Sequence, residues 1–246
     1  MRKKECHGST YGDLIVEIGR LFLHKPYQAG TLEGFDEEKL IVNVSAFDCT
    51  TFVETVLALA RCAGTGKLSN REFRKNLKSI RYRNGKINGY SSRLHYFTDW
   101  LSDNVGKKIV TDMSQNLGGK ALRKQINFLT THQELYPVLK NKTQLAKMAI
   151  IERNLSSRTF HIVEKNKVSA QKGKINNGDI IAFATRQEGL DVAHIGFAIR
   201  QGHSLRLLHA SKKEGAVVIS QSTLQAYLKS NKTFTGIIVA RFSQNH

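Results

Sequence analysis

Residues 47–62 read FDCTTFVETVLALARC, and what this stretch forms decides how the rest of the chain is read. Asp48 is a good N-cap, because its carboxylate can accept a hydrogen bond from a first-turn backbone N–H. Phe52, Val53, Val56, Leu57 and Ala60 recur at helical spacing and mark one apolar face. Cys49 therefore stands at or near the first helical residue. Unpaired N–H groups and the positive end of the helix dipole favour an anion there, so the thiol is expected to lie below the ordinary value of about 8.5, further still if a histidine helps. A thiolate so placed is a nucleophile; the alternative is a structural cysteine, since free cysteine is among the most buried residue types.

A candidate base lies far downstream, in VAHIGFAIRQGHSLRLLHAS at 192–211. Two apolar, β-branched runs, Val192 to Ile199 and Leu205 to Ala210, flank Gln201-Gly202 and read as a hairpin. A turn centred on that dipeptide makes His194 and His209 direct cross-strand partners on one face, with Cβ atoms about 4.5–5.5 Å apart. His194 is then placed to take the proton of Cys49, and His209, accepting a hydrogen bond from the other ring nitrogen, to fix its tautomer and orientation. Two alternatives stand beside this. A one-residue bulge in the hairpin would send the rings to opposite faces, and Cys49, His194 and His209 could instead hold a catalytic zinc, although no close-spaced pair such as CxxC or HExxH accompanies them.

The order of an aromatic-Asp-Cys helix start, a strand reading HIGFAI and a strand reading LLHAS resembles the papain-like NlpC-type cell-wall hydrolases. That resemblance implies a catalytic triad of Cys49, His194 and His209. Longer strings, PYQAGTLE at 26–33, FDCTTFVETVLALA at 47–60, IRYRNGKINGYSSRLHYFTDW at 80–100, GLDVAHIGFAI at 189–199 and LLHAS at 207–211, are similar to the N-acetylmuramoyl-L-alanine amidase-like branch. Membership there implies cleavage of the amide joining the lactyl group of N-acetylmuramic acid to L-alanine, with peptidoglycan fragments (muropeptides) as partners and no cofactor. The other outcomes kept open are an NlpC-type stem-peptide endopeptidase and a noncatalytic basic protein that binds envelope or polyanion. The resemblance also gives Tyr27, in the PY segment, a place near the oxyanion; packing over Pro26 is the alternative.

YSSRLHYFTDW concentrates polar handles. Ser92, Arg93 and His95 are candidate substrate-binding residues, offering a hydroxyl, a planar cationic fork and a ring. The same segment reads as an amphipathic helix opening near Ser91 or Ser92, with Leu94, Phe97, Trp100 and Leu101 buried.

A chain of 246 residues, 40% of them hydrophobic, with two prolines and no linker-like run, is expected to form one domain over 1–246, with a largely helical and loop insertion at 67–160. Strands are expected at GDIIAFA, VAHIGFAI, SLRLLHAS, GAVVIS and GIIVARF, the last two flanking a short helix capped by Ser222. Helices first and an antiparallel meander of about five strands last make an α+β fold, and the resemblance makes it papain-like.

Lys and Arg total 38 against 20 Asp and Glu, a formal net of +18. Such a field draws polyanions, yet the cations are scattered instead of forming a nucleic-acid-reading module, so no specific nucleic acid is expected and the anionic envelope fits better. The three cysteines, at 6, 49 and 62, argue against a disulfide framework. MRKKECHGSTYG has charges but no following apolar run, and no membrane span is apparent; a periplasmic or secreted location comes from the resemblance alone. The sequence does not give the oligomeric state.

Overall fold

The computed structural model describes residues 10–34 and 37–243, so Cys6 lies outside the described residues. Helix α1 (Tyr11–Arg20) opens on a reciprocal Thr10–Asp13 cap. Helix α2 (Cys49–Thr65) follows, closed at its far end by left-handed Gly66. Phe52, Val53, Val56, Leu57 and Ala60 are fully buried on it, as their spacing predicts. Then come α3 (Asn70–Arg81), α4 (Phe97–Gly106), β1 (Val110–Asp112), β2 (Lys120–Leu122), α5 (Phe128–Thr131), α6 (Lys142–Ser157), β3 (Phe160–Glu164) and α7 (Val168–Gln171). The last part of the chain supplies β4 (Ile180–Thr185), β5 (Val192–Gln201), β6 (Ser204–Ser211), β7 (Ala216–Ile219), α8 (Leu224–Ser230) and β8 (Phe234–Phe242).

The strands form one antiparallel sheet of eight, in the order β2-β3-β8-β4-β5-β6-β7, with β1 also paired to β8. The fold is thus α+β. The five expected strands are all present, but three short ones, β1 to β3, join them, and β8 returns between β3 and β4 instead of closing a simple meander. β1 and β2 have three residues each, too few to show alternation. They lie within 67–160, so that stretch is not only helix and loop.

Strand β4 is buried along its whole length because both faces are covered. Ile180, Ala182 and Ala184 join the core under α1 and α2, whereas Ile181 and Phe183 join a second core that contains Leu224 and Leu228 of α8. A third, smaller core gathers Tyr90, Tyr96, Ile126, Leu129, Leu139, Met148 and Leu155. Helix α8 is capped by Thr223, whose hydroxyl accepts from the Ala226 N–H, and not by Ser222.

The 90s segment departs further from expectation. Residues Tyr90–Ser92 make a single 3-10 turn and the helix starts only at Phe97. Arg93 bridges Tyr82, and the Leu94 N–H donates to the Arg81 carbonyl at 3.0 Å. These contacts hold the stretch extended. Leu94, Phe97, Trp100 and Leu101 are buried nonetheless.

Candidate active site

Asp48 sets the start of α2. Its Oδ1 accepts from the Thr51 N–H at 2.7 Å while its own N–H donates to the Thr51 hydroxyl at 3.0 Å, leaving Cys49 as the first helical residue. Cys49 is half-buried. Its thiol departs from the expected lowering: burial, and then the adjacent Asp48 carboxylate, push it up to about 11, against hydrogen bonds from the Ile195 and Cys49 backbone and from Thr50. The capping group that fixes the helix start therefore also opposes a negative sulfur. The Ile195 bond places the sulfur beside the residue that follows His194.

The histidines meet, in a register different from the expected one. Gln201 pairs with Ser204 and Phe197 with Leu208, so the turn lies at Gly202-His203 and the pairing is displaced by two residues. An even displacement keeps both rings on one face. Their contact is diagonal: His194 Nε2 lies 2.7 Å from His209 Nδ1, with ring planes at 79°. Room for it comes from Gly196, where a Cβ would stand 2.8 Å from the His209 Cβ. A bulge does occur in β5, but towards β4. Phe183 pairs with His194 and Ala184 with Val192, leaving Ala193 unpaired just before the histidine, the placement by which bulges re-aim a side chain.

Burial, and then His209, lower His194 to about 3, and burial lowers His209 to about 4. Near neutrality the resting site therefore holds a thiol and two neutral imidazoles. Among the described residues, no group of three or more His, Cys, Asp or Glu is arranged to hold a metal ion.

Tyr27 is carried to the same place. The Phe47 N–H donates to the Pro26 carbonyl at 3.0 Å and the Gln28 N–H to the Phe47 carbonyl at 2.9 Å, which ties the PY segment alongside the residues preceding Cys49. Burial, with the Cys49 and Asp48 charges, pushes its phenol up to about 12. Tyr227 of α8 shows the same effect of burial and Cys49, also to about 12. Its ring centroid lies 5.3 Å from His209 and 6.1 Å from His194. The sequence reading missed Tyr227, since nothing in QSTLQAYLKSN marks one helical tyrosine as facing a histidine pair.

A cavity of about 180 Å³ is lined by Cys49, Thr50, His95, Trp100, Asp191 and His194, among others. His95 belongs to it, with Nε2 2.9 Å from the Tyr90 carbonyl and its ring against Tyr90 at 4.3 Å. That bond makes Nε2 the protonated nitrogen and leaves Nδ1 an acceptor. Burial and then Arg93 hold the ring well below the usual histidine range.

Ser92 and Arg93 are placed elsewhere. The Ser92 hydroxyl donates to the Gly89 carbonyl at 2.6 Å and accepts from the Asn88 N–H at 2.9 Å, closing a turn. Arg93 is buried, donates to Glu33 at 2.8 Å and to the Leu32 carbonyl at 3.0 Å, and lies 3.6 Å from Glu38 and over the Tyr90 ring. Arg93 holds the loop before α2 and Ser92 its own turn, and neither lines the cavity. Asp191 does line it, but its carboxylate accepts from the Thr98 N–H and hydroxyl and from the Val192 N–H, tying the start of β5 to the first turn of α4.

No curated protein matches the chain. Among solved structures, an N-acetylmuramoyl-L-alanine amidase from Bacteroides uniformis is 40% identical, with a TM-score of 0.90 over 95% of this chain and 99% of that one. A Bacteroides fragilis structure provisionally described as a xylanase is 43% identical, with a TM-score of 0.86 over 92% and 99%. A Legionella pneumophila protein, 24% identical with a TM-score of 0.72 over 96% and 90%, shares the fold. The family model described as N-acetylmuramoyl-L-alanine amidase-like matches residues 17–237. With that match spanning most of its length, the chain belongs to the N-acetylmuramoyl-L-alanine amidase-like family.

Proposed function

We propose that the chain is a cysteine amidase that hydrolyses the amide between the lactyl group of N-acetylmuramic acid and L-alanine, in peptidoglycan or in muropeptides, on a papain-like NlpC-type fold. The observation that carries this reading is the contact of His194 Nε2 with buried His209 Nδ1 at 2.7 Å, with His194 and Cys49 lining one cavity. With Nε2–H donated to His209, Nδ1 of His194 is the nitrogen left to serve the thiol.

Because the resting pair is neutral, the proton leaves sulfur as sulfur attacks. Cys49 Sγ bonds to the lactyl carbonyl carbon while Nδ1 of His194 takes the thiol proton, and the imidazolium is steadied through Nε2–H to His209. The oxyanion is held by backbone N–H groups at the start of α2, with the Tyr27 hydroxyl as a further donor. His194 then protonates the alanine nitrogen, the C–N bond breaks and the stem peptide leaves with a free amine. Water, deprotonated by His194, attacks the thioester, releasing the muramic carboxylate and returning the proton to sulfur. No step draws on a cofactor.

Glycan cleavage, suggested by the xylanase description of one relative, fits this cavity poorly. Most glycoside hydrolases flank the scissile bond with two carboxylates, and among the described residues the one acidic residue lining the cavity, Asp191, is bonded to Thr98 and Val192. The family substrate supports a periplasmic or secreted site of action; among the described residues no helix is long and apolar enough to cross a membrane. Mass spectrometry of products from defined muropeptides tests the proposal. The expected products are a stem peptide beginning with L-alanine and a sugar with a free lactyl carboxylate, lost on thiol alkylation and kept with chelator. A muramyl-L-alanyl-D-glutamate product would establish an endopeptidase instead.

A further inference from the structure

The net charge of +18 is not gathered at the cavity, whose lining among the described residues holds no Lys or Arg. Some of it is ordered on α3, NREFRKNLKSIR, which buries Leu77 and Ile80 and leaves Arg71, Arg74, Lys75 and Lys78 exposed. Counted from Arg71, the others lie three, four and seven residues on, so the four form one stripe along the helix. Among the described residues, the ion pair on this stripe is Lys75 with Glu72, at 3.7 Å. Two further cations flank it. Arg61 of α2 donates to the Asn76 side chain at 3.1 Å, and Lys107 after α4 donates to the Ser79 and Tyr82 carbonyls but is ion-paired with Asp103 and adds little to the surface charge.

The second observation is apolar. Leu68 stands immediately before the N-cap Ser69, where a hydrophobic residue commonly packs back on the first turn, here on Phe73. It is instead 76% exposed, beside exposed Lys67. A leucine standing out of a cationic surface gains nothing against a sugar chain or a nucleic-acid backbone. Against a bilayer the two features act together, cations meeting headgroup phosphates while the leucine enters the boundary of the acyl chains.

We propose that the exposed face of α3, led by Leu68, docks the protein on an anionic phospholipid surface. The surface is separate from Cys49 and His194, and the inference stands whatever bond the cavity cleaves. The test is sedimentation of the full chain with vesicles of equimolar phosphatidylglycerol and phosphatidylcholine, against phosphatidylcholine alone, with circular dichroism confirming the fold of each variant. The expected result is partition to the anionic vesicles only. Replacing Arg71, Arg74, Lys75 and Lys78 together by Gln should weaken it at least about a hundredfold, since each cation near such a surface contributes about fivefold. Leu68→Ser alone should weaken it several-fold and leave the remainder fully reversible by salt. Absence of partition, or partition equal to wild type in the four-Gln variant, would overturn the proposal. A Leu68→Ser variant matching wild type would also overturn it, leaving a general polyanion surface, which retention on immobilised DNA would then reveal.

Discussion

The β5–β6 hairpin and the segment from Tyr90 to Tyr96 are both dense in polar groups, yet they use them in opposite ways. In the hairpin, two imidazoles stand on one sheet face and bond each other at 2.7 Å, leaving a ring nitrogen of His194 for the cavity that Cys49 shares. In the 90s segment, Arg93 is bonded to the loop of Glu33 and Ser92 to its own turn, and of the three polar candidates His95 alone lines the cavity, beside apolar Leu94. Polar density does not mark a site; groups with an atom still directed at a shared cavity do.

The difference predicts two kinds of mutant. Cys49→Ala and His194→Ala should each lower kcat/KM for muropeptide hydrolysis by about 10⁴-fold or more with the fold intact by circular dichroism, as for members of a catalytic triad. Residual turnover near wild type in either would remove that residue from the chemistry. His209→Ala should cost about 10²-fold in kcat with little change in KM, because it steadies a charge that exists only in the transition state. Gly196→Ala should do comparable harm without removing any reactive group, since its Cβ would press on His209 and on the Leu208 carbonyl. Full activity in that variant would show that the histidine contact tolerates displacement.

Arg93→Ala should behave the other way. Removing it leaves the Glu33 and Glu38 carboxylates without their cation, and loss of one partner of a buried pair costs about 3 kcal/mol. The midpoint of urea unfolding should fall while kcat and KM of the folded fraction stay near wild type; a raised KM with unchanged stability would return Arg93 to the substrate.

The remaining effects are in pH. His194 and His209 titrate in the folded protein at about 3 and about 4, below the ordinary value of about 6.5, so the unfolded chain binds more protons in between. Stability should therefore be fully present above pH 6.5 and fall as pH drops towards 4 and then 3, and His194→Asn with His209→Asn should flatten that slope in pH-dependent melting. With Cys49 at about 11, its alkylation by iodoacetamide should be slow at pH 7 and keep rising through pH 9. A plateau already reached at pH 7 would mean a preformed thiolate.

Much of this was legible because it is local. Asp48, the apolar spacing of α2 and the apolar, β-branched runs of β4 to β8 depend on neighbours a few residues away, and the shared face of the histidines survives a misplaced turn because side chains on a strand alternate with period two. What stayed hidden depends on distant partners. Arg93 answers to Glu33, sixty residues back; Tyr227 meets the histidines only after α8 folds over the sheet; and α4 starts late because Leu94 bonds Arg81. The thiol was misread because the dipole at a helix start is a property of sequence position, whereas burial and the nearness of the Asp48 charge belong to the folded chain.

Which acyl group Cys49 carries decides which bond is cut. Mass spectrometry of the Cys49 peptide from enzyme quenched in acid during turnover of a defined muropeptide should find the muramoyl group alone in thioester linkage, absent from Cys49→Ala, which should also be inactive. An adduct that includes L-alanine and D-glutamate, or steady turnover by Cys49→Ala, would contradict it.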